Sequence, residues 1–254
     1  MAIKKWVIGN WKLQGSQVFN KELVEGIRAS LPALDNRVGM SVCPVFPYLI
    51  QLADLLAGSS MVLGAQTLSE HAKGAYTGEV AGPMLKDVGV ALVLVGHSER
   101  RAYQGESNEL IGKKVRAALD AGLLPVLCIG ETKQERDAGE TRSVLTGQLD
   151  AVLSLLDLAK EDMVIAYEPR WAIGTGVSAS PEMIAEVHGF LRSYLIGKAA
   201  AFGARTPLLY GGSMNGSNAD SIAAIKDVDG GLIGSAALKA DEFVAIYQAV
   251  LACA

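Results

Sequence analysis

The sequence predicts an α/β protein, a (β/α)8 barrel in a single domain that spans residues 1–254. Two observations predict this fold. Eight short apolar runs recur along the chain, and amphipathic segments of helical period separate them. The length of 254 residues suits a barrel of eight strand–helix units. The alternative is an open, doubly wound sheet of eight strands.

The predicted strands are continuous apolar runs, as expected for parallel strands that are buried on both faces. In chain order they are Trp6–Gly9, Val38–Cys43, Met61–Ala65, Ala91–Gly96, Leu124–Ile129, Met163–Tyr167, Pro207–Tyr210 and Gly231–Ile233. Active sites of such barrels lie where the strands end and the following loops begin. The residues directly after these runs are therefore the first candidates for function.

Helical patterns lie between the strands. Apolar residues recur at spacings of three and four from Ser16 to Ser30 and from Glu109 to Leu119. Ser180 is predicted to cap a third helix, because the proline that follows it suits a first helical turn. The last helix is predicted from Asp241 to Leu251.

Composition excludes several classes of protein. Lys and Arg number 23 against 27 Asp and Glu, a net charge of −4 that disfavours nucleic-acid or anionic-membrane binding. The longest uncharged apolar stretch, Val38 to Ala53, contains two prolines and is too short to cross a bilayer. No secretory signal is evident at the N-terminus. Three dispersed cysteines, Cys43, Cys128 and Cys253, indicate reduced thiols and predict a cytoplasmic protein.

Glu168 directly follows the sixth predicted strand and precedes an uncharged, glycine-containing segment that includes Gly174. A carboxylate that is partly removed from water suits proton abstraction, and the segment has the composition of a lid. An ordinary surface loop with a salt-bridged glutamate is the equal alternative. Gly174 also begins a G-x-G-x-x-A pattern, but no strand leads directly into it, which disfavours a dinucleotide site.

Two other strand ends carry polar residues. His97 ends the fourth strand, and Ser98 after it is a candidate helix cap whose backbone amides would favour a neutral imidazole. A structural histidine is the equal alternative there, and it is the favoured interpretation for His71 and His188. Asn10 and Lys12 follow the first strand, where Lys12 could meet an anion, although a solvated lysine is more common.

Glycine-rich turns follow the last two strands, at residues 210–214 and 230–236. Turns at these positions, with the N-terminus of a short helix, form a recurrent phosphate site in (β/α)8 barrels. Ordinary tight turns are the alternative. The dispersed histidines and cysteines offer no clustered metal site, and no metal or cofactor is expected.

Taken together, these segments resemble the triosephosphate isomerase family in order and spacing along nearly the whole chain. The resemblance implies interconversion of dihydroxyacetone phosphate and D-glyceraldehyde 3-phosphate without cofactor or metal. It implies that Glu168 is the base, that His97 is a neutral electrophile, and that Glu99 is a supporting residue. Lys12, with Asn10, would meet the charge of the intermediate. The phosphate would be held by Gly174, Ser213, Gly234 and Ser235.

The resemblance also implies a homodimer in which the loop from Gln66 to Glu79 enters the neighbouring subunit and brings Thr77 near its Asn10 and Lys12. Two departures from the family pattern stand out. Arg170 occupies a lid-hinge position that is usually apolar. Ser235 stands where the family commonly has glycine, and Ala237 in the same segment also differs from the family pattern. If the φ of residue 235 must be positive, Ser235 is expected to weaken phosphate binding.

Two other functions compete with an isomerase. A lysine-dependent aldolase would form a Schiff base through Lys12, but it leaves Glu168 and His97 without roles. A sugar-phosphate binder that has lost its chemistry would have no need of a base.

Overall fold

Eight parallel strands form a closed barrel in a computed structural model of the chain, which describes residues 4–31, 34–172 and 179–254. The strands are β1 (Lys5–Asn10), β2 (Val38–Cys43), β3 (Val62–Ala65), β4 (Leu92–Val95), β5 (Leu124–Ile129), β6 (Val164–Tyr167), β7 (Leu208–Tyr210) and β8 (Gly230–Ile233). Each strand pairs with the next along the chain, and β8 pairs with β1. The predicted barrel is confirmed, and the open doubly wound sheet is wrong.

Helices connect the strands. The described residues form α1 (Gln17–Ser30), α2 (Leu49–Leu56), α3 (Gly82–Asp87), α4 (Ser98–Tyr103), α5 (Asn108–Asp120), α6 (Lys133–Asp137), α7 (Thr141–Leu153), α8 (Pro181–Lys198), α9 (Ala200–Arg205), α10 (Ala219–Ala223) and α11 (Ala240–Ala252). Short 3-10 helices cover Phe46–Tyr48, Arg170–Ala172 and Ser235–Leu238. The predicted strand limits, and those of the three helices for which both ends were predicted, agree with the structure to within one residue.

The helix starts show the caps that the sequence predicts. The side chain of Ser180 accepts a hydrogen bond from the N–H of Met183, and Pro181 occupies the first turn of α8. Ser16 caps α1 in the same way through the N–H of Phe19. These bonds satisfy backbone donors that a helix start leaves without partners.

The core has two layers, because successive side chains of each strand point alternately into the barrel and toward the helices. Trp6 and Ile8 of β1 join the smaller cluster, which fills the barrel interior, whereas Val7 belongs to the larger cluster between strands and helices. Cys128 is buried in the interior cluster, where it contributes to the packing of the barrel. Because both faces of the strands are covered, the polar groups at their carboxyl ends are the candidates for a functional site.

None of the helices in the described part of the chain combines the length and the apolar character that crossing a membrane requires.

Candidate active site

A cavity of about 340 Å³ lies at the carboxyl ends of the strands and gathers most of the predicted site residues. Its lining includes Asn10, Lys12, His97, Glu168, Ser213, Gly234 and Ser235. Glu99 lies behind Lys12 and contacts it. Gly174, the remaining predicted residue, lies outside the described residues. The closure of the barrel therefore brings together side chains that are up to 225 positions apart in the sequence, from Asn10 to Ser235.

Glu168 directly follows β6 and is only 2% exposed. Its backbone N–H donates to the carbonyl of Ile129 at 2.7 Å, which fixes the start of the loop against β5. One carboxylate oxygen, Oε2, accepts a hydrogen bond from the backbone N–H of Ser98 at 2.8 Å. The other, Oε1, lies 3.2 Å from Nε2 of His97. Burial with two polar partners excludes the alternative of a glutamate on a solvated surface loop.

Two glycines allow neighbouring loops to approach Glu168 closely. A Cβ atom at Gly130 would lie 1.7 Å from the carbonyl oxygen of Glu168, and one at Gly211 would lie 2.7 Å from its Cγ. Neither separation is tolerated by a real side chain, so any larger residue would displace the glutamate. The position of the carboxylate therefore depends on backbone contacts from β5 and β7.

His97 follows β4 and caps α4 with its own side chain. Its Nδ1 accepts a hydrogen bond from the N–H of Glu99 at 3.2 Å. An acceptor nitrogen carries no proton, so this hydrogen bond assigns the proton of a neutral imidazole to Nε2, which faces Glu168. The prediction that Ser98 caps the helix is wrong, because His97 occupies the cap position and Ser98 is the first residue of α4. Its backbone N–H instead binds Glu168.

Lys12 adopts a left-handed backbone conformation, with φ of 53°. Its N–H donates to Oδ1 of Asn10 at 3.0 Å, and its carbonyl accepts from Nε2 of Gln66 at 2.8 Å. A left-handed non-glycine residue costs on the order of 1–2 kcal/mol, which these bonds offset. The result is that Nζ points to the cavity and donates to Oε1 of Glu99 at 2.6 Å. Lys12 is thus not a freely solvated lysine.

The turn after β8 presents Gly234 and Ser235 to the cavity at the start of the 3-10 helix Ser235–Leu238. Among the described residues other than glycine, only Lys12 and Asp227 have a positive φ. Ser235 therefore needs no conformation that glycine alone adopts, and the expected backbone conflict is absent. Ala237 is buried against β1. A Cβ atom added at Gly9 would lie only 2.9 Å from the Cβ of Ala237. That contact favours a small residue at position 237.

The other two histidines show how differently the structure uses them. His71 stacks on Tyr76, with ring centroids 3.7 Å apart, in the loop after β3. His188 is fully buried in α8, and its Nδ1 bonds the carbonyl of Asp227 at 3.0 Å. Neither lines the cavity. The structural interpretation given to both is therefore consistent with their positions.

Sequence reasoning missed Glu131, which lies two residues after β5 and is fully buried. Its Oε1 accepts hydrogen bonds from the Tyr167 hydroxyl at 3.0 Å and from Nε1 of Trp171 at 3.1 Å. Burial and the charge of Glu131 raise the pKa of Tyr167 above its usual range, so its phenol remains a donor. Glu131 thus anchors the chain on both sides of Glu168. Its position two residues after a predicted strand was the signal by which the sequence could have identified Glu131 as a candidate.

Comparison with known proteins agrees with this geometry. Residues 5–250 match the family model described as triosephosphate isomerase. The chain is 51% identical over 251 residues to the triosephosphate isomerase of Herminiimonas arsenicoxydans, covering 97% of this chain and 99% of that protein. The chain belongs to the triosephosphate isomerase family.

Two further relatives show the same full-length similarity. The triosephosphate isomerase of Bordetella pertussis is 51% identical over 243 residues, which is 96% of each chain. That of Thiobacillus denitrificans is 49% identical over 247 residues, covering 97% of this chain and 98% of that protein. The resemblance of the separate motifs to the triosephosphate isomerase family thus extends through the segments between them.

Across the described ranges, no group of three or more histidine, cysteine, aspartate or glutamate side chains is arranged to hold a metal ion.

Proposed function

We propose that this member of the triosephosphate isomerase family interconverts dihydroxyacetone phosphate and D-glyceraldehyde 3-phosphate by proton transfer through an enediolate. The observation that carries the proposal is the pairing of a buried carboxylate with a neutral imidazole. Glu168 Oε1 lies 3.2 Å from His97 Nε2 in a cavity that also contains Lys12. A base, a hydrogen-bond donor and a cation are the three groups that enolisation of a carbonyl needs.

Glu168 is the proposed base that moves a proton between C1 and C2 of the substrate. Its carboxylate is already desolvated, because only 2% of the residue is exposed. In the structure both oxygens are engaged, one with the Ser98 amide and one with His97. The carboxylate must leave the Ser98 amide to reach a substrate carbon. Substrate binding and the movement of the base are therefore linked.

His97 is the proposed electrophile that polarises the substrate carbonyl. The hydrogen bond from the Glu99 amide to Nδ1 leaves the proton on Nε2, the nitrogen that faces the cavity. A neutral imidazole donates this proton in a hydrogen bond and can return it to the same site after passing protons between the two substrate oxygens. The backbone of α4 thus selects the tautomer that the reaction needs.

Lys12 is the proposed counter-charge for the enediolate, with Asn10 holding its backbone. Its ion pair with Glu99 orients Nζ at the cavity wall. Ser213, Gly234 and Ser235 are proposed to bind the phosphate, together with Gly174. Closely approaching backbone N–H groups suit a dianion, and holding it limits elimination of phosphate from the intermediate.

A lysine-dependent aldolase is the weaker alternative. Schiff-base lysines lie in desolvated pockets where the amine is free to attack a carbonyl. Lys12 Nζ instead donates to the carboxylate of Glu99 at 2.6 Å. An aldolase also leaves the contact between Glu168 and His97 without a function.

The chain is further proposed to act as a homodimer. A groove of about 400 Å³ beside Lys12 is flanked by Leu13 and Tyr103, which are 92% and 80% exposed. Exposed apolar side chains around a groove are typical of an interface. The proposed occupant is the partner's loop from Gln66 to Glu79, which would bring Thr77 toward Lys12. Sedimentation should give a dimer at micromolar concentration, and fully active monomers would disprove it.

The cytoplasm is the proposed location. Cys43, Cys128 and Cys253 are all free thiols, as a reducing compartment maintains them.

The test of function is isomerase activity toward D-glyceraldehyde 3-phosphate in EDTA, with Glu168→Ala measured in parallel. We expect metal-independent turnover, and we expect the variant to lose about 10³-fold in kcat, since general base catalysis contributes about 10²–10⁴. Unchanged melting temperature in the variant would show that the fold is intact. Wild-type protein that binds a triose phosphate without turnover would favour the binder, and borohydride trapping of substrate on Lys12 would favour the aldolase.

A further inference from the structure

A second cavity, of about 550 Å³, lies outside the proposed catalytic cavity. It is bounded by α4, by the start of α6 and by the 3-10 helix Arg170–Ala172. Lys12 and Glu99 form its border with the catalytic site, while Lys133 and Arg170 line the far part together with Thr132. Nothing in the proposed reaction uses this far part. We call it the hinge cavity, because Arg170 is two residues beyond Glu168.

The charges of the hinge cavity do not balance. Lys12 is paired with Glu99, which is the carboxylate in the lining. Lys133 contacts Asp137, which lies one helical turn further along α6 and outside the lining. Arg170 is half-buried, and it makes no ion pair with any carboxylate in the described part of the chain. Arg170 therefore carries the one positive charge of the described lining that no carboxylate compensates, and the Lys133 ammonium lies in the same lining with its partner outside it.

The charge of Arg170 also acts on the interior of the protein. Burial lowers the pKa of Arg101, and the guanidinium of Arg170 acts in the same direction, whereas Cys128 and Glu168 have larger effects in the opposite direction. Arg101 is fixed by the carbonyls of Gly96 and Cys128, so it cannot move away. An anion at Arg170 would relieve the repulsion between these two guanidinium groups.

We propose that the hinge cavity binds a small molecule with two or more phosphate groups, one on the Arg170 guanidinium and one on the Lys133 ammonium. Guanidinium binds phosphate in a two-pronged geometry, and a lysine ammonium serves as a point charge for a second group.

A ligand in the hinge cavity would link α6 to the segment that follows Glu168. Since Arg170 is separated from the proposed base by Pro169 alone, holding its side chain restrains the backbone on which the carboxylate moves. The ligand therefore acts as an inhibitor that does not compete with the substrate. This consequence rests on the proposed function, whereas the binding itself does not.

Binding is tested by titration calorimetry with inorganic pyrophosphate at low ionic strength, in the wild type and in Arg170→Gln, Lys133→Gln and Arg170→Lys. We expect the two glutamine variants to weaken one class of site at least tenfold. Arg170→Lys should bind between wild type and Arg170→Gln, because it keeps the charge without the two-pronged geometry. Lys160→Gln, a matched loss of charge at an exposed lysine far from the cavity, should bind like the wild type. Equal binding by all five proteins would overturn the proposal.

Inhibition is tested by steady-state kinetics with the same pyrophosphate. Wild type should show a reduced maximal rate that excess substrate does not restore, and Arg170→Gln should lose this component but keep any competitive inhibition at the catalytic cavity. Purely competitive inhibition of the wild type would overturn the inhibitory role. If the protein shows no isomerase turnover at all, the proposed function fails, and calorimetry alone still decides whether the hinge cavity binds.

Discussion

Two buried histidines contact consecutive residues at the end of β6, and they carry the proton of the neutral ring on different nitrogens. His97 is 6% exposed, its Nδ1 accepts from an amide, and its Nε2 faces Glu168. His188 is fully buried, its Nδ1 donates to the carbonyl of Asp227, and its ring packs edge-on against Tyr167. Tyr167 and Glu168 are consecutive, so one strand end separates the two environments.

The difference shows that burial alone does not identify a functional histidine. Both rings are removed from water, but only His97 lies beside a cavity and a carboxylate. Burial lowers the pKa of His188 to about 4, so its ring is an uncharged part of the core at neutral pH. A residue's chemistry here follows from what its second nitrogen faces.

The largest expected effect is a difference in kcat between substitutions of His97 and of His188. His97→Gln removes the proposed donor to the substrate carbonyl and should lower kcat by about 10²–10³-fold. His188→Gln should leave kcat within about threefold, since its ring is outside the cavity. Steady-state kinetics on both purified variants checks this, and an equal loss of kcat in both would remove the distinction drawn above.

The next effect is on the pH dependence of stability. His188 stays neutral in the folded chain down to pH about 4, whereas in the unfolded chain it binds a proton below its ordinary pKa of 6.5. Acid therefore favours the unfolded chain, and this histidine should cost the folded chain up to about 3 kcal/mol between pH 6.5 and 4. Denaturant unfolding at several pH values should show a flatter dependence in His188→Gln. Parallel curves for the two proteins would contradict the assignment.

A somewhat smaller effect is expected at neutral pH. His188→Gln loses the bond to Asp227 and the packing on Tyr167, and it should lower the free energy of unfolding by about 2 kcal/mol. His97→Gln should cost about 1 kcal/mol or less, because its ring borders a cavity rather than packed core. Urea unfolding measures both values, and a larger loss at position 97 would reverse the order.

The smallest effect is expected on the cavity side, at Ser235. Its φ is not positive, so Ser235→Gly should relieve no strain and should leave KM within about twofold. Steady-state kinetics with D-glyceraldehyde 3-phosphate measures this. A several-fold fall in KM would show that the serine does hinder phosphate binding.

The fold followed from the sequence because parallel buried strands leave a direct signal, the continuous apolar run. The ends of the strands then gave Asn10, His97 and Glu168 as candidate site residues by position, and all three line the cavity. Backbone donors leave no such signal, so the Ser98 amide that holds Glu168 was found only in the structure. The left-handed Lys12 was also missed, since contacts from Asn10 and Gln66 create it, not an intrinsic preference of lysine. At Ser235 the expected strain depended on a φ that only coordinates give.

The first turn of α4 has a further consequence for the resting protein. Two consecutive peptide N–H groups, of Ser98 and Glu99, bind the proposed base and the proposed electrophile respectively. Under the proposed function, the substrate therefore competes with a peptide group for Glu168. In the proposed mechanism the first turn of α4 thus acts as an internal inhibitor of the base, which each turnover displaces and restores.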